Sequence, residues 1–175
     1  MGKILAVGFL VMTMAAASCS KKSKSSVTAL NQTDQQFVTN AGYNNVDEIN
    51  AGYLASTNAA DSDVRVFGHL MVNDYSSAQS ALILLADSLG FTVLSSPDQA
   101  HQAILTTLSG LTGVAFDTTY LRTQINDDQA AISLYQSEQS GGQSPAVKDY
   151  VNRYLPVIEA HLSAADSLMK IEVGH

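Results

Sequence analysis

The chain has 175 residues and a formal net charge of −7, unevenly placed: Lys3, Lys21, Lys22 and Lys24 are four of nine basic residues, so sixteen acidic side chains, none before Asp34, face only five basic ones. Recognition of nucleic acid or anionic headgroups needs Lys/Arg clusters, so the body of the chain is excluded from both roles. A hydrophobic content of 46% supplies a core, three Pro leave helix breakers scarce, and a single Cys rules out an internal disulfide.

The chain opens with Met1-Gly2-Lys3 and an apolar run, Ile4–Ala17, that ends in Ala16-Ala17-Ser18-Cys19. A positive start, an apolar stretch and small residues at the cut mark a secretory signal. The run is shorter than the about 20 residues a membrane-spanning helix needs. A lone thiol at the first mature position resembles the lipobox of bacterial lipoproteins, with Ala16 standing where Leu is commonest. The rival reading, an ordinary cleavage site beside a free or buried Cys19, fits poorly with an exported chain, because such chains pair their cysteines or avoid them. The expected divisions are 1–18 signal peptide, 19–31 lipidated Cys19 and flexible tether, and 32–172 bundle domain. Within the tether, Ser20–Ser26 has no apolar residue to bury. Its lysines either add about 1 kcal/mol each of attraction to an anionic surface or simply keep a linker solvated.

The first long helix is expected from a cap at Asn31 or Thr33 to about Thr57, with Phe37, Ala41, Asn44, Glu48, Ala51 and Ala55 on one face and Val46, Ile49 and Tyr53 on a neighbouring stripe. The second starts at Asp61 or Ser62 and carries Val64, Phe67, Met71, Asp74, Ala78, Leu82, Leu85 and Leu89, with Gly90 as the residue past its end. A short helix begins near Ser96-Pro97-Asp98 and turns Ile104, Leu105, Leu108 and Leu111 inward. The next long helix covers about Ala115–Gln139, with Phe116, Tyr120, Gln124, Asp128, Ile132 and Tyr135 in a row. After a loop at Ser140–Gln143, the last runs about Ala146–Lys170, its apolar face built by Val147, Val151, Tyr154, Leu155, Ile158, Leu162, Ala165 and Leu168, and Pro156 is expected to kink it. The pattern predicts an all-α fold: an antiparallel four-helix bundle with an extra short helix between the second and third long helices.

These residues carry a resemblance. Val64-Arg65-Val66-Phe67-Gly68-His69-Leu70-Met71-Val72-Asn73-Asp74, the segment Gly113–Leu121 (G-V-A-F-D-T-T-Y-L), and Leu155-Pro156 followed by His161-Leu162 are similar to the bacterial family called domain of unknown function 4142. The resemblance covers about residues 33–170 and implies an exported, ferritin-like helical bundle of no established activity. It also implies a cluster of one Glu and three His, of which Glu48 and His161 remain, while Tyr75 and Asp128 stand where two imidazoles are expected.

The candidate polar cluster is therefore Glu48, Asp74, Tyr75, Asp128 and His161, expected to converge in one layer of the bundle with His161 paired to a carboxylate. Ferritin-type di-iron chemistry takes a Glu-x-x-His pair from each of two helices. No such pair is expected in this chain; in the nearest pattern, Glu159-Ala160-His161, the side chains diverge by roughly 200°. No cofactor is expected, and a single Zn, Fe or Mn on Glu48, Asp128 and His161 is the weaker alternative to a set of polar core residues that satisfy one another. His69 and His101 read as isolated surface residues, and the terminal His175 carries no signal. No nucleophile elbow, Walker loop or H-E-x-x-H motif is present, so the reading favours a non-enzyme. The expected function is a binding, interaction or envelope-protection module, held by its N-terminal lipid at a bacterial membrane, on the periplasmic face of the outer one. Its partner would be an unknown envelope protein or ligand and not nucleic acid; a metal-binding or redox bundle is the alternative.

Overall fold

The structure, a computed structural model, describes residue 2 and residues 30–93, 96 and 99–174. The apolar leader, Cys19, the basic tether, Pro97-Asp98 and His175 lie outside the described residues. The described chain is helical: α1 (Gln32–Asn58), α2 (Ser62–Ser88), α3 (Gln99–Ser109), α4 (Gly113–Gly141) and α5 (Pro145–Val173), with no strand among the described residues.

The helix starts follow local chemistry. Asn31 caps α1 in a capping box, its side chain accepting from the Asp34 N–H while the Asp34 carboxylate accepts from the Asn31 N–H. Asp61 caps α2 by accepting from Asp63 and Val64, and Ser144 caps α5 with Pro145 in its first turn. Gly90, at φ 70°, takes the left-handed conformation expected just past α2. Several boundaries differ from expectation by two or three residues, among them the start of α4, at Gly113 and not Ala115. Ser140 and Gly141 extend α4 into the expected loop, and α5 continues to Val173 through Pro156 without interruption.

The long helices pack as a bundle, α1 along α2 and α4, α5 along α4 and α2, with α3 laid over α1 and α4. Buried carboxylates fix the two ends. Asp117, in the first turns of α4, accepts from the N–H groups of Ala60 and Asp61 at 2.9 and 2.8 Å, which sets the start of α4 beside the α1–α2 link. Asp34, at the start of α1, accepts from Gln143 and Ser144 at 3.0 Å each, tying that end to the α4–α5 link. Helices α1 and α5 therefore start at one end and α2 and α4 at the other, so the connection that carries α3 travels the length of the bundle. Gly52 and Gly68 let α1 and α2 approach closely: a Cβ on Gly68 would sit 2.8 Å from the Gly52 carbonyl oxygen and from the Ser56 nitrogen.

The core is divided. Near the start of α1, Phe37, Val38, Leu82, Tyr135, Val151 and Ile158 form one apolar cluster. Toward the other end, Ala55, Phe67, Met71, Phe116, Tyr120 and Leu121 form a second, closed on one side by Leu108, the one fully buried residue of α3. Of the expected neighbouring stripe Val46–Ile49–Tyr53, Ile49 is partly buried against the second cluster whereas Tyr53 is exposed, and α1 also buries Asn45, Asp47 and Gly52. Among the described residues no helix is long and apolar enough to cross a membrane.

Candidate functional site: a polar layer at the waist of the bundle

Between the two apolar clusters each long helix turns a polar side chain inward. Helix α1 gives Asn45 and Glu48, α2 gives Tyr75 and Gln79, α4 gives Gln124 and Asp128, and α5 gives His161, all of them buried. The helical period explains the layer: in each helix these residues occupy the core-facing row one turn from apolar core residues, such as Ala41 and Ala51 around the α1 pair.

Several of the sequence-predicted residues meet. The Tyr75 hydroxyl donates to Asp128 Oδ1 at 3.1 Å. His161 Nε2 lies 2.9 Å from Asp74 Oδ2; a carboxylate only accepts, so Nε2 carries the hydrogen. The Tyr75 and His161 rings are 5.5 Å apart, centroid to centroid, so Tyr75 links the Asp74–His161 pair to Asp128. Asp74 itself sits at the rim, with more than a third of its side chain exposed. A cavity of about 10 Å³ bounded by Asp74, Tyr75, Tyr135, Tyr154 and His161 lies beside this pair, the size of one water molecule.

Glu48 behaves differently. It is 1% exposed, and neither carboxylate oxygen has a hydrogen-bond partner. Gln124 lies beside it on α4 without completing a hydrogen bond, and both polar atoms of that amide are also unpartnered, as are Asp128 Oδ2 and the Tyr120 hydroxyl. Burial, reinforced by the charges of Asp128 and Asp127, pushes the Glu48 carboxyl well above the usual carboxylate range. Burial likewise pushes Asp128 up to about 7, against the opposing hydrogen bond from Tyr75. Tyr75 and Tyr120 are raised as well, by burial and then by Glu48 and Asp128, so both hydroxyls keep their protons. The expectation of polar core residues that satisfy one another thus describes Asp74, Tyr75 and one side of Asp128, but not Glu48.

His101 corrects a sequence expectation. It is not an isolated surface residue: its Nδ1 lies 3.0 Å from Asp47 Oδ2 and its Nε2 lies 3.8 Å from Asp127 Oδ2. Asp47 and Asp127 directly precede Glu48 and Asp128, so α1 and α4 each present one carboxylate to the waist and one to His101 on α3. The signal was in the sequence as the adjacent pairs Asp47-Glu48 and Asp127-Asp128, but a short helix with few core positions gave no register for His101. His69 is exposed, as expected. Sequence reasoning also missed the buried Glu138. Burial, with the Asp34 carboxylate beside it, pushes it up to about 7, while backbone donors from Ser144, Asn31 and Gln143 overcome burial and hold Asp34 below its usual value.

The residues do not fit a di-iron centre. One Glu-x-x-His spacing was missed in the sequence, the terminal Glu172-Val173-Gly174-His175, whose histidine lies outside the described residues. Gly174 ends α5, and Glu172 stands eleven residues beyond His161, roughly 16 Å along the helix. Of the proposed single-metal set, Glu48 and Asp128 share the waist, whereas the Nε2 of His161 is engaged by Asp74 on the far side of Tyr75. Among the described residues no group of three or more His, Cys, Asp or Glu side chains is arranged to hold a metal ion.

No curated protein and no solved structure matches this chain at significance. The family model described as Domain of unknown function (DUF4142) matches residues 19–168, a span that starts at Cys19 and contains the whole waist layer. The chain belongs to the DUF4142 family.

Proposed function

We propose that the protein is a lipid-anchored lipoprotein of the bacterial cell envelope, whose acidic helical bundle acts as a binding or envelope-protection module and not as an enzyme. The observation that carries this reading is the position of Cys19, the chain's single thiol, at the end of an apolar leader and directly ahead of the basic stretch Lys21-Lys22-Ser23-Lys24. One acyl chain gives only marginal membrane binding, so full lipoprotein acylation, helped by the tether lysines, is the anchor in this reading. The outer membrane's periplasmic face is the proposed site. The bundle is read as ferritin-like because the connection carrying α3 has the character of the single long crossover of that fold. Exposed apolar side chains, among them Val66 and Leu70 one turn apart on α2, and Leu84 and Tyr53, offer contact points for an envelope partner.

Fractionation of native cells, followed by crosslinking and co-purification, tests this. The intact protein should sediment with membranes and crosslink to a discrete envelope partner, and Cys19→Ala should lose both properties. A soluble intact protein, or a membrane association that Cys19→Ala leaves unchanged, would contradict it.

A further inference from the structure

The strongest feature that no structural role accounts for is the set of unpartnered oxygens at the waist. Buried polar groups in folded proteins are overwhelmingly hydrogen-bonded, and each exception calls for an explanation such as a bound ion. Here both oxygens of Glu48, Oδ2 of Asp128 and the amide oxygen of Gln124 are buried without a partner. Gln124 and Asp128 are four residues apart on α4, hence neighbours on one face, and Glu48 stands opposite on α1. We propose that Glu48, Asp128 and Gln124 form an inward-facing, all-oxygen site for a hard divalent cation.

The donor chemistry selects that class. Carboxylate and carbonyl oxygens suit Mg, Ca and Mn, whereas imidazole and thiolate suit the softer transition metals. The only imidazole of the waist is held by Asp74, outside this donor set. Two carboxylates balance one divalent charge, and Tyr75 orients Asp128 by donating to its other oxygen. The expectation that no metal is tightly held rests on the missing imidazoles and does not bear on an oxygen site.

The surroundings favour a cation too. Asp47 and Asp127 flank the site and His101 bridges them from α3, and a surface cavity of about 210 Å³ opens beside His101 between α1 and α4. The titratable groups facing the site are Asp47 from α1, Tyr75 from α2, His101 from α3, and Asp127 and Tyr120 from α4. Helix α5 contributes His161 through its contact with Tyr75. Binding sets the cation in place of protons on Glu48 and Asp128, which leave to solvent, so affinity rises with pH.

The test is titration of the chelator-stripped full chain with Mn²⁺ at about pH 8. Free Mn²⁺ is read by electron paramagnetic resonance, and thermal melting is followed in parallel. One equivalent should bind and raise the melting temperature; Glu48→Gln and Asp128→Asn should each weaken uptake at least about tenfold, while Glu159→Gln on the exposed face of α5 should not. Both waist variants are near-isosteric and leave a neutral side chain in the core, and circular dichroism should show both folded. Uptake equal in wild type and Glu48→Gln, no saturable uptake, or uptake lost in His161→Ala but kept in Glu48→Gln would overturn the proposal.

Discussion

Replacing Asp128 with asparagine should stabilise the protein at neutral and alkaline pH and leave it nearly unchanged in acid. Asp128 is fully buried, and burial raises its carboxyl from 3.8 to about 7. An acid whose folded value is raised binds its proton more tightly in the native state, so the stability it contributes is complete below the unfolded value and is lost as pH rises toward 7. At about 1.4 kcal/mol per pH unit the full loss is about 4 kcal/mol, and coupling to Glu48 makes about 2 kcal/mol a safer expectation. The asparagine amide oxygen would still accept from Tyr75, and the side chain would carry no charge to bury. Urea unfolding from pH 4.5 to 8.5, with chelator present to remove divalent cations, should show the variant gaining on wild type by about 2–4 kcal/mol across that range. A difference that stays constant with pH, or a variant that loses ground as pH rises, would refute a buried, proton-holding Asp128.

Other perturbations test the scaffold. Asp117→Ala removes the acceptor of the Ala60 and Asp61 N–H groups and should cost about 3 kcal/mol in urea unfolding, with Asp117→Asn milder; a neutral Asp117→Ala would show that this end is not tied by that carboxylate. Gly68→Ala places a Cβ 2.8 Å from the Gly52 carbonyl oxygen and should destabilise by about 1–3 kcal/mol by forcing α1 and α2 apart, and an unchanged melting temperature would contradict the close crossing.

How much of this was legible depends on the kind of residue. The helices were readable because Val64, Phe67, Met71, Ala78 and Leu82 repeat at the helical period and because Asn31, Asp61 and Ser144-Pro145 are strong start signals. Glu48, Tyr75, Asp128 and His161 could be named from the family resemblance, with Glu48 and Asp128 also standing as polar residues within their helical stripes. Their partners could not be read the same way. Asp34 binds across the bundle to Gln143 and Ser144, and His101 reaches α1 and α4 from a helix with one buried residue, so both depend on how distant segments meet. Nor could periodicity separate Asp128, which receives the Tyr75 hydroxyl, from Glu48, whose oxygens receive nothing.

The functional account turns on Cys19, and the most direct measurement is the mass of the N-terminal peptide from protein extracted from its native envelope. The account predicts a mature chain that begins at Cys19 and carries a diacylglyceryl group on the sulfur. An N-terminus at another residue, or a Cys19 recovered as a free thiol, would contradict the lipid anchor and the envelope role built on it.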